Sequence, residues 1–295
     1  MASLARFSTQ ASLVALTLIS ATPGCRHRIR LAIVPVEMGQ GQPRYFVGVP
    51  DDRRSWEKVV LYVAGTGREP ASRHFGLAAE ATLKGFVVAY PEKMFLADAA
   101  AFHRADSRGQ RLSELVAVVD DLDRRGMRKL LVVAASEGTQ VAHEIAARYP
   151  ARTVGVICLA GSVTPFREDL LWAASHRPGP RIPYTREQLE QALALVDAEP
   201  TSVDRDFWGH TYRFWSSQLD YDPRVHLASA RWPVLFVNGA LDEVDLDRQQ
   251  RELQQLRAGG IDVESTVYPG VGHDLAVVGP TLAQTLVGWA EKKGL

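Results

Sequence analysis

The sequence predicts an α/β fold, a mostly parallel sheet covered by helices on both faces. Three observations point to it. Short β-prone runs alternate with segments of helical periodicity along most of the chain. Several of those runs are apolar at every position, the pattern of strands buried on both faces. One of them, Leu130 to Ala135, passes through Ser136-Glu137-Gly138 straight into a helical pattern, the order of a βα unit.

Taken in order, Leu31 to Val36 and Tyr45 to Val49 read as the first two strands, with Gly41-Gln-Pro43 as the turn between them. Val59 to Val63 is the third and runs into Ala64-Gly65-Thr66-Gly67. Ala71 to Lys84 has a helical pattern that stops at Gly85. Phe86 to Tyr90 is a short buried strand that Pro91 ends. From Leu112 to Leu122, the apolar residues Leu112, Leu115, Val116, Val119 and Leu122 share one helical face. After the strand from Leu130 to Ala135 come a helix over Gly138 to Arg148 and a strand over Thr153 to Leu159. Val234 to Val237 and Val263 to Tyr268 are the last strands, and Thr281 to Lys292 is the closing helix.

One stretch breaks the alternation. Between Gly161 and Pro223 no buried strand is written, and Pro165, Pro178, Pro180 and Pro183 interrupt the chain. A helical stretch covers Thr185 to Asp197, and a dense aromatic group follows in Phe207, Trp208, Tyr212, Phe214 and Trp215. We expect a small helical cap at about 162–223, over the sheet edge where open α/β sheets bind ligands. Trp208, Tyr212 and Trp215 have the spacing of one helix face. Such a face either packs the cap onto the body or walls an acyl pocket.

Chemistry is concentrated at three turns. Ala134-Ala135-Ser136-Glu137-Gly138 is a small-x-Ser-x-Gly pattern between strand and helix, the form of a nucleophile elbow. Asn238-Gly239-Ala-Leu-Asp242 follows one late strand, and Gly272-His273 follows the next. A serine hydroxyl is a weak nucleophile at neutral pH and needs a base in reach. A histidine supplies that base, and a carboxylate fixes its tautomer and stabilises the imidazolium. Ser136, Asp242 and His273 are therefore the candidate catalytic residues. Glu243 and Asp245 crowd beside Asp242, and Asp245 also suits the start of a helix carrying Leu246 and Leu253.

With these residues in place, the chain resembles the α/β-hydrolase superfamily from about Arg44 to the C-terminus. Ala-Gly-Thr-Gly, Ala-Ala-Ser-Glu-Gly and the Gly-x-x-Asp plus Gly-His pair carry the resemblance. The order Ser, Asp, His is that of the superfamily. Phe214-Trp-Ser-Ser-Gln-Leu-Asp-Tyr-Asp-Pro223 and the Ser-Glu-Gly elbow are similar to esterase and prolyl-oligopeptidase-like branches. The resemblance implies a mostly parallel eight-stranded sheet, short of one peripheral strand, and a serine hydrolase acting on an ester-like acyl bond. It also implies an oxyanion hole from the backbone of Thr66 (or Gly65) and of Glu137. Two departures stand out: Ala134 replaces the usual glycine, and Ala64-Gly65 replaces a frequent His-Gly. A peptidase on the same triad is the rival within the class, although the chain has no room for the propeller of the prolyl-oligopeptidases. A catalytically silent binding protein is the rival outside it, and the intact triad argues against that reading.

Composition narrows the partners. The chain has 295 residues, 46% of them apolar, and a formal net charge of +0, which gives no electrostatic reason to expect nucleic acid. The expected partner is a small-molecule acyl substrate. No P-loop or Gly-x-Gly-x-x-Gly pattern points to a nucleotide cofactor, and the histidines lack metal-ligand spacing, so no cofactor is expected. Cys158 lies in an apolar strand and reads as a small buried hydrophobe. His143 has no sequence partner and reads as structural. Arg68, Arg73 and His74, near the Gly65 loop, could meet a substrate carboxylate but more often form a solvated helix start.

The N-terminus has a different character. Ala11 to Ala21 is an apolar run too short to span a bilayer, and Thr22-Pro-Gly-Cys25 follows. Residues 1–25 read as an export signal, with Gly24-Cys25 similar to a bacterial lipobox whose cysteine would carry a membrane anchor. The hydrolase domain would then be residues 26–295, placed in the bacterial envelope or secreted.

Overall fold

The computed structural model describes residues 14–17, 30–39, 41–50, 56–74 and 86–295. Along the chain, β1 (Val14–Thr17), β2 (Arg30–Val36), β3 (Tyr45–Pro50) and β4 (Lys58–Val63) come first, then a 3-10 turn over Ala71–His74 and β5 (Val87–Pro91). Helices α1 (Ala99–Ala105) and α2 (Arg108–Arg124) lead to β6 (Lys129–Ala135), α3 (Gly138–Arg148) and β7 (Thr153–Leu159). The cap holds α4 (Phe166–His176), α5 (Arg186–Ala198), the short hairpin β8 (Asp206–Phe207) and β9 (His210–Thr211), and α6 (Tyr212–Leu219). The chain closes with α7 (Arg224–Leu227), β10 (Val234–Gly239), α8 (Leu246–Ala258), β11 (Val263–Tyr268) and α9 (Gly279–Lys292).

The main sheet runs β1-β2-β3-β5-β4-β6-β7-β10-β11. From β5 to β11 every neighbouring pair is parallel, while β1, β2 and β3 pair antiparallel. The expected missing peripheral strand is therefore a misreading. All eight strands read from the sequence are present, and a ninth is added by Val14–Thr17 pairing with Arg30–Ile33 of β2. The apolar stretch around Val14 that reads as an export signal is also β-prone, and an edge strand accepts such a segment. Cys25 lies outside the described residues, as does most of the helical pattern after His74.

The alternation of strand side chains builds two cores. Val59, Leu61 and Val63 of β4, with Val234 and Phe236 of β10, face one side and meet Leu115, Val118 and Leu122 of α2, Val141 and Ile145 of α3, and Leu253 of α8. Val60 and Tyr62, with Leu235 and Val237, face the other side and meet Leu282, Leu286 and Trp289 of α9. The cap has its own cluster, in which Leu189, Leu193 and Val196 of α5 pack near Phe214, Trp215 and Leu219 of α6. A capping box at Thr185 and Gln188 starts α5. The sequence shows no helix at α4, because Pro165 reads as an interruption; the proline sits at the N-cap, where it begins a helix.

Phe236 is fully buried in the first core. Replacing it by alanine should cost about 3–5 kcal/mol of stability, read as a lowered midpoint in denaturant melts.

Candidate active site

The site is built at the C-terminal ends of β4, β6, β10 and β11. Ser136 lies in the turn between β6 and α3 with φ at 52°, in the left-handed region that side chains rarely adopt. Its N–H donates to the Leu159 carbonyl at 2.7 Å, which ties the turn to β7. The helix after it must pass close under β4. A Cβ at Gly138 would stand 2.7 Å from the carbonyl oxygens of both Val63 and Ala64, so only glycine fits there. Ala134, in the other small position, is fully buried in β6 between Val63 and Cys158 and meets no such constraint.

Two further turns bring the other groups. Gly239 ends β10 with its Cα against the loop after β11; a Cβ would stand 2.2 Å from the Val271 carbonyl oxygen. Leu241 N–H donates to that same oxygen at 2.8 Å, so the turns carrying Asp242 and His273 are laced together. His273 Nδ1 is 2.8 Å from Asp242 Oδ1, and His273 Nε2 is 2.9 Å from Ser136 Oγ. A carboxylate only accepts, so Nδ1 carries the proton and Nε2 is left to accept from the serine hydroxyl.

Asp242 is almost wholly buried, and Glu243 N–H donates to its Oδ1 at 2.8 Å. Burial alone would raise its carboxyl, but the bond and charge of His273 outweigh that and hold it below the usual carboxylate range. Glu243 stands beside the pair, its Oε2 3.4 Å from His273 Nδ1, and its other oxygen ion-pairs with Arg181 of the cap at 2.9 Å. Burial pushes the Glu243 carboxyl up, against the pull of Arg181. Asp245 lies apart and caps α8, accepting from Arg248 N–H at 3.0 Å. Asp242, Glu243 and His273 are also the group whose ligand atoms lie within 4.8 Å of one another, close enough to hold a cation.

Beside the serine, the backbone N–H groups of Thr66 and Glu137 donate to no acceptor among the described residues. Both residues line the cavity over Ser136. Gly65 packs under them: a Cβ there would be 3.0 Å from Ser136 Cβ. Three side chains unread in the sequence surround this corner. Lys93 Nζ donates to the carbonyls of Gly65 and Gly67 at 2.8 and 3.0 Å. The Glu137 carboxylate is 4.0 Å from that ammonium, and Gln218 of α6 donates to it at 2.6 Å. The only signal for Lys93 was its place just after a buried strand, at the sheet edge where α/β folds bind ligands.

The cavity is about 240 Å³. Phe166, Leu170, Ile182, Trp208 and Trp215 of the cap form its apolar wall. Trp208 and Trp215 stack at 5.7 Å and 17°. Trp208 does so from the β8–β9 turn, with φ at 49°, and not from a helix face as its spacing predicts. The tight Trp208-Gly209 turn breaks the helical period that the sequence imitates. Phe214 faces the cap core instead, so the aromatic group divides between wall and packing. Asp169 also lines the cavity, is buried and accepts from Thr164 Oγ1 at 2.7 Å; burial pushes it up to about 6, against the hydrogen bonds of Ser162 and Thr164.

The remaining candidates lie elsewhere. Arg73 ion-pairs with Glu69 at 3.7 Å on the surface, and neither Arg68 nor Arg73 lines the cavity. The His74 side chain lies outside the described part of the chain. His143 is buried behind β7, 3.6 Å from Cys158 Sγ, and burial lowers it to about 3. Burial likewise raises the Cys158 thiol, as for an inert core cysteine.

No family model matches the chain, and no curated protein matches its sequence. Solved structures do match. A thermostable carboxyl esterase from Bacillus coagulans aligns with a TM-score of 0.61 at 14% identity, covering 90% of this chain and 99% of that one. Proline iminopeptidase from Mycobacterium smegmatis aligns at 0.56 and 18% identity, covering 88% and 98%. The thioesterase domain of the curacin biosynthetic pathway aligns at 0.54 and 15% identity, covering 88% and 99%. Strand order, elbow and near-complete coverage of these structures agree: the chain has the α/β-hydrolase fold.

Proposed function

We propose that the protein is a serine hydrolase that cleaves an ester-like acyl bond of a small-molecule substrate through an acyl-serine intermediate. The observation that carries this reading is the unbroken hydrogen-bonded series from Ser136 Oγ through His273 to the buried Asp242. Ser136 attacks the acyl carbon, and its proton passes to His273 Nε2. The oxygen of the tetrahedral intermediate turns to the N–H groups of Thr66 and Glu137, each worth about 3 kcal/mol by precedent. His273 then gives its proton to the leaving alcohol, and the acyl-serine forms. Water enters, loses a proton to the same nitrogen and attacks the acyl carbon; the acyl–Oγ bond breaks, and His273 returns that proton to Ser136 Oγ as the acid leaves. The apolar wall of Phe166, Trp208 and Trp215 favours an uncharged acyl or alcohol group in the cavity.

The same proposal includes export through residues 1–25, with Cys25 as a lipid attachment point. It rests on the N-terminal sequence alone.

Three outcomes are expected. A fluorophosphonate probe should label the protein at Ser136, and Ser136→Ala should abolish labelling and turnover with an unchanged melt. p-Nitrophenyl esters of graded chain length should be turned over faster than peptide amides; the reverse order makes the protein a peptidase on the same triad, and no adduct removes the enzyme reading.

The second concerns pH. His273 accepts the serine proton only when neutral, so kcat/KM should fall on acidification as the imidazole protonates. Asp242 stays ionised through that range because His273 holds its carboxyl low. A flat profile from neutral to acid pH would sink His273 as the base.

The third separates the acids. Asp242→Asn should lower kcat by about 10⁴, because the amide favours the wrong histidine tautomer. Asp245→Asn should change kcat little, since asparagine caps a helix as well as aspartate does. Glu243→Gln should be mild, because its carboxylate is farther from Nδ1 and already paired with Arg181. A crippled Glu243→Gln beside an active Asp242→Asn would transfer the orienting role to Glu243.

A further inference from the structure

We infer that Lys93 is a positioning residue that aims both oxyanion donors, an assignment that rests on the acyl-serine reading above. Lys93 follows β5 and its side chain is buried under the loop after β4. Its ammonium donates to the carbonyls of Gly65 and Gly67, on either side of Thr66, and stands 4.0 Å from the Glu137 carboxylate. Thr66 and Glu137 line the cavity beside Ser136, and their N–H groups meet no acceptor among the described residues. One buried charge thus touches the loop of the first donor and the side chain of the second.

The geometry follows from the peptide unit. The Gly65 carbonyl and the Thr66 N–H belong to one planar trans peptide, so they point in opposite directions. Holding the oxygen on Lys93 turns the N–H away from it, toward the nucleophile side of the loop. The second bond, to Gly67, fixes the far end; Gly67 has φ at 102°, which leaves the loop free to turn only because it is glycine. At the elbow, Glu137 is held between Lys93 and Gln218, so the start of α3 cannot rotate independently of the loop. A cation on the Gly65 oxygen also polarises that peptide and strengthens its N–H as a donor. Lys93 reaches the reaction only through these peptides.

A lone buried ammonium would not persist. Burial pushes Lys93 down, Glu137 draws it back, Arg111 opposes, and Asp106 and Glu114 support the charge. The ring of Phe102 lies 5.9 Å from Nζ and adds a weak attraction. The carboxylates around the lysine offset part of that downward push, and the two carbonyls it bonds also favour the protonated form.

The test compares the wild-type protein with Lys93→Met and Lys93→Arg, using a p-nitrophenyl ester and benzeneboronic acid, whose tetrahedral serine adduct presents an oxygen to the same donors. Lys93→Met should lower kcat by about 10–10²-fold, the scale of misaligned catalytic groups, with KM within about twofold. Boronate affinity should fall in parallel with kcat, and Lys93→Arg should recover most of both. A lowered melt with kcat, KM and boronate affinity unchanged makes Lys93 a structural staple and overturns the inference. Equal losses in KM and boronate affinity, with kcat intact, overturn it too. If Lys93→Met does not fold, Glu137→Gln reads the tether from its other end: kcat should fall about 3–10-fold at constant KM, and an unchanged kcat overturns the inference. Failure of the parent reading is seen on wild type alone, as no ester turnover and no fluorophosphonate adduct.

Discussion

Everything at the site is arranged around one strained residue. Ser136 is held in a left-handed backbone conformation that costs roughly 1–3 kcal/mol and persists only where its surroundings over-determine it. Those surroundings are backbone. The Leu159 carbonyl takes its N–H, and Gly138 slides beneath the carbonyls of Val63 and Ala64 with no room for a methyl group. Three neighbouring strands, β4, β6 and β7, must therefore end at the same level and in this order. The parallel ladder from β5 to β11 supplies that, and the two cores on its faces hold it flat enough for the turns to meet. The acid and base turns obey a similar constraint, since Gly239 rests on the Val271 carbonyl.

Much of this was legible in the sequence because it is written in local patterns. Apolar runs such as Val59 to Val63 and Leu130 to Ala135 are strands by composition, and their neighbours in the sheet follow from the fold they resemble. Ser136, Asp242 and His273 stand at strand ends beside small residues, so their meeting could be expected. What stayed hidden depends on contacts between distant segments. Lys93 is one charged residue in a loop until the Gly65 and Gly67 carbonyls are seen around it. Gln218 lies in a stretch read only for its resemblance, and its bond to Glu137 spans 81 positions. Trp208 imitated a helical repeat because a two-residue turn happened to preserve the spacing. Val14–Thr17 falls within the stretch that reads as an export signal, and its pairing with β2 is a contact between segments that composition alone does not specify.

The cap and the body are joined by two different kinds of contact. Apolar side chains fill the cap interior, while its perimeter meets the body through charged groups: Arg181 with Glu243, Arg248 with Glu168, and His103 with Asp206. Exposed pairs of that kind contribute about 0–1 kcal/mol each and weaken with salt. The cap is thus a unit with its own core, attached at its rim by contacts that are individually weak.

A buried bond also joins the cap to the body. Gln218 belongs to the cap, and the carboxylate that it holds belongs to the residue following Ser136. Lifting α6 would strip a partner from a buried charge, which is far more costly than opening a surface pair. The reach of the cap toward solvent is therefore registered on the elbow itself. A substrate bulky enough to force α6 outward would disturb the Glu137 peptide at the moment its N–H is needed. Size discrimination would then come from loss of aim, with the bulky molecule admitted and bound but poorly turned over. On the acyl-serine reading the cap would then work as a gauge, with occupancy and reactivity agreeing only for molecules that leave the glutamine where it is.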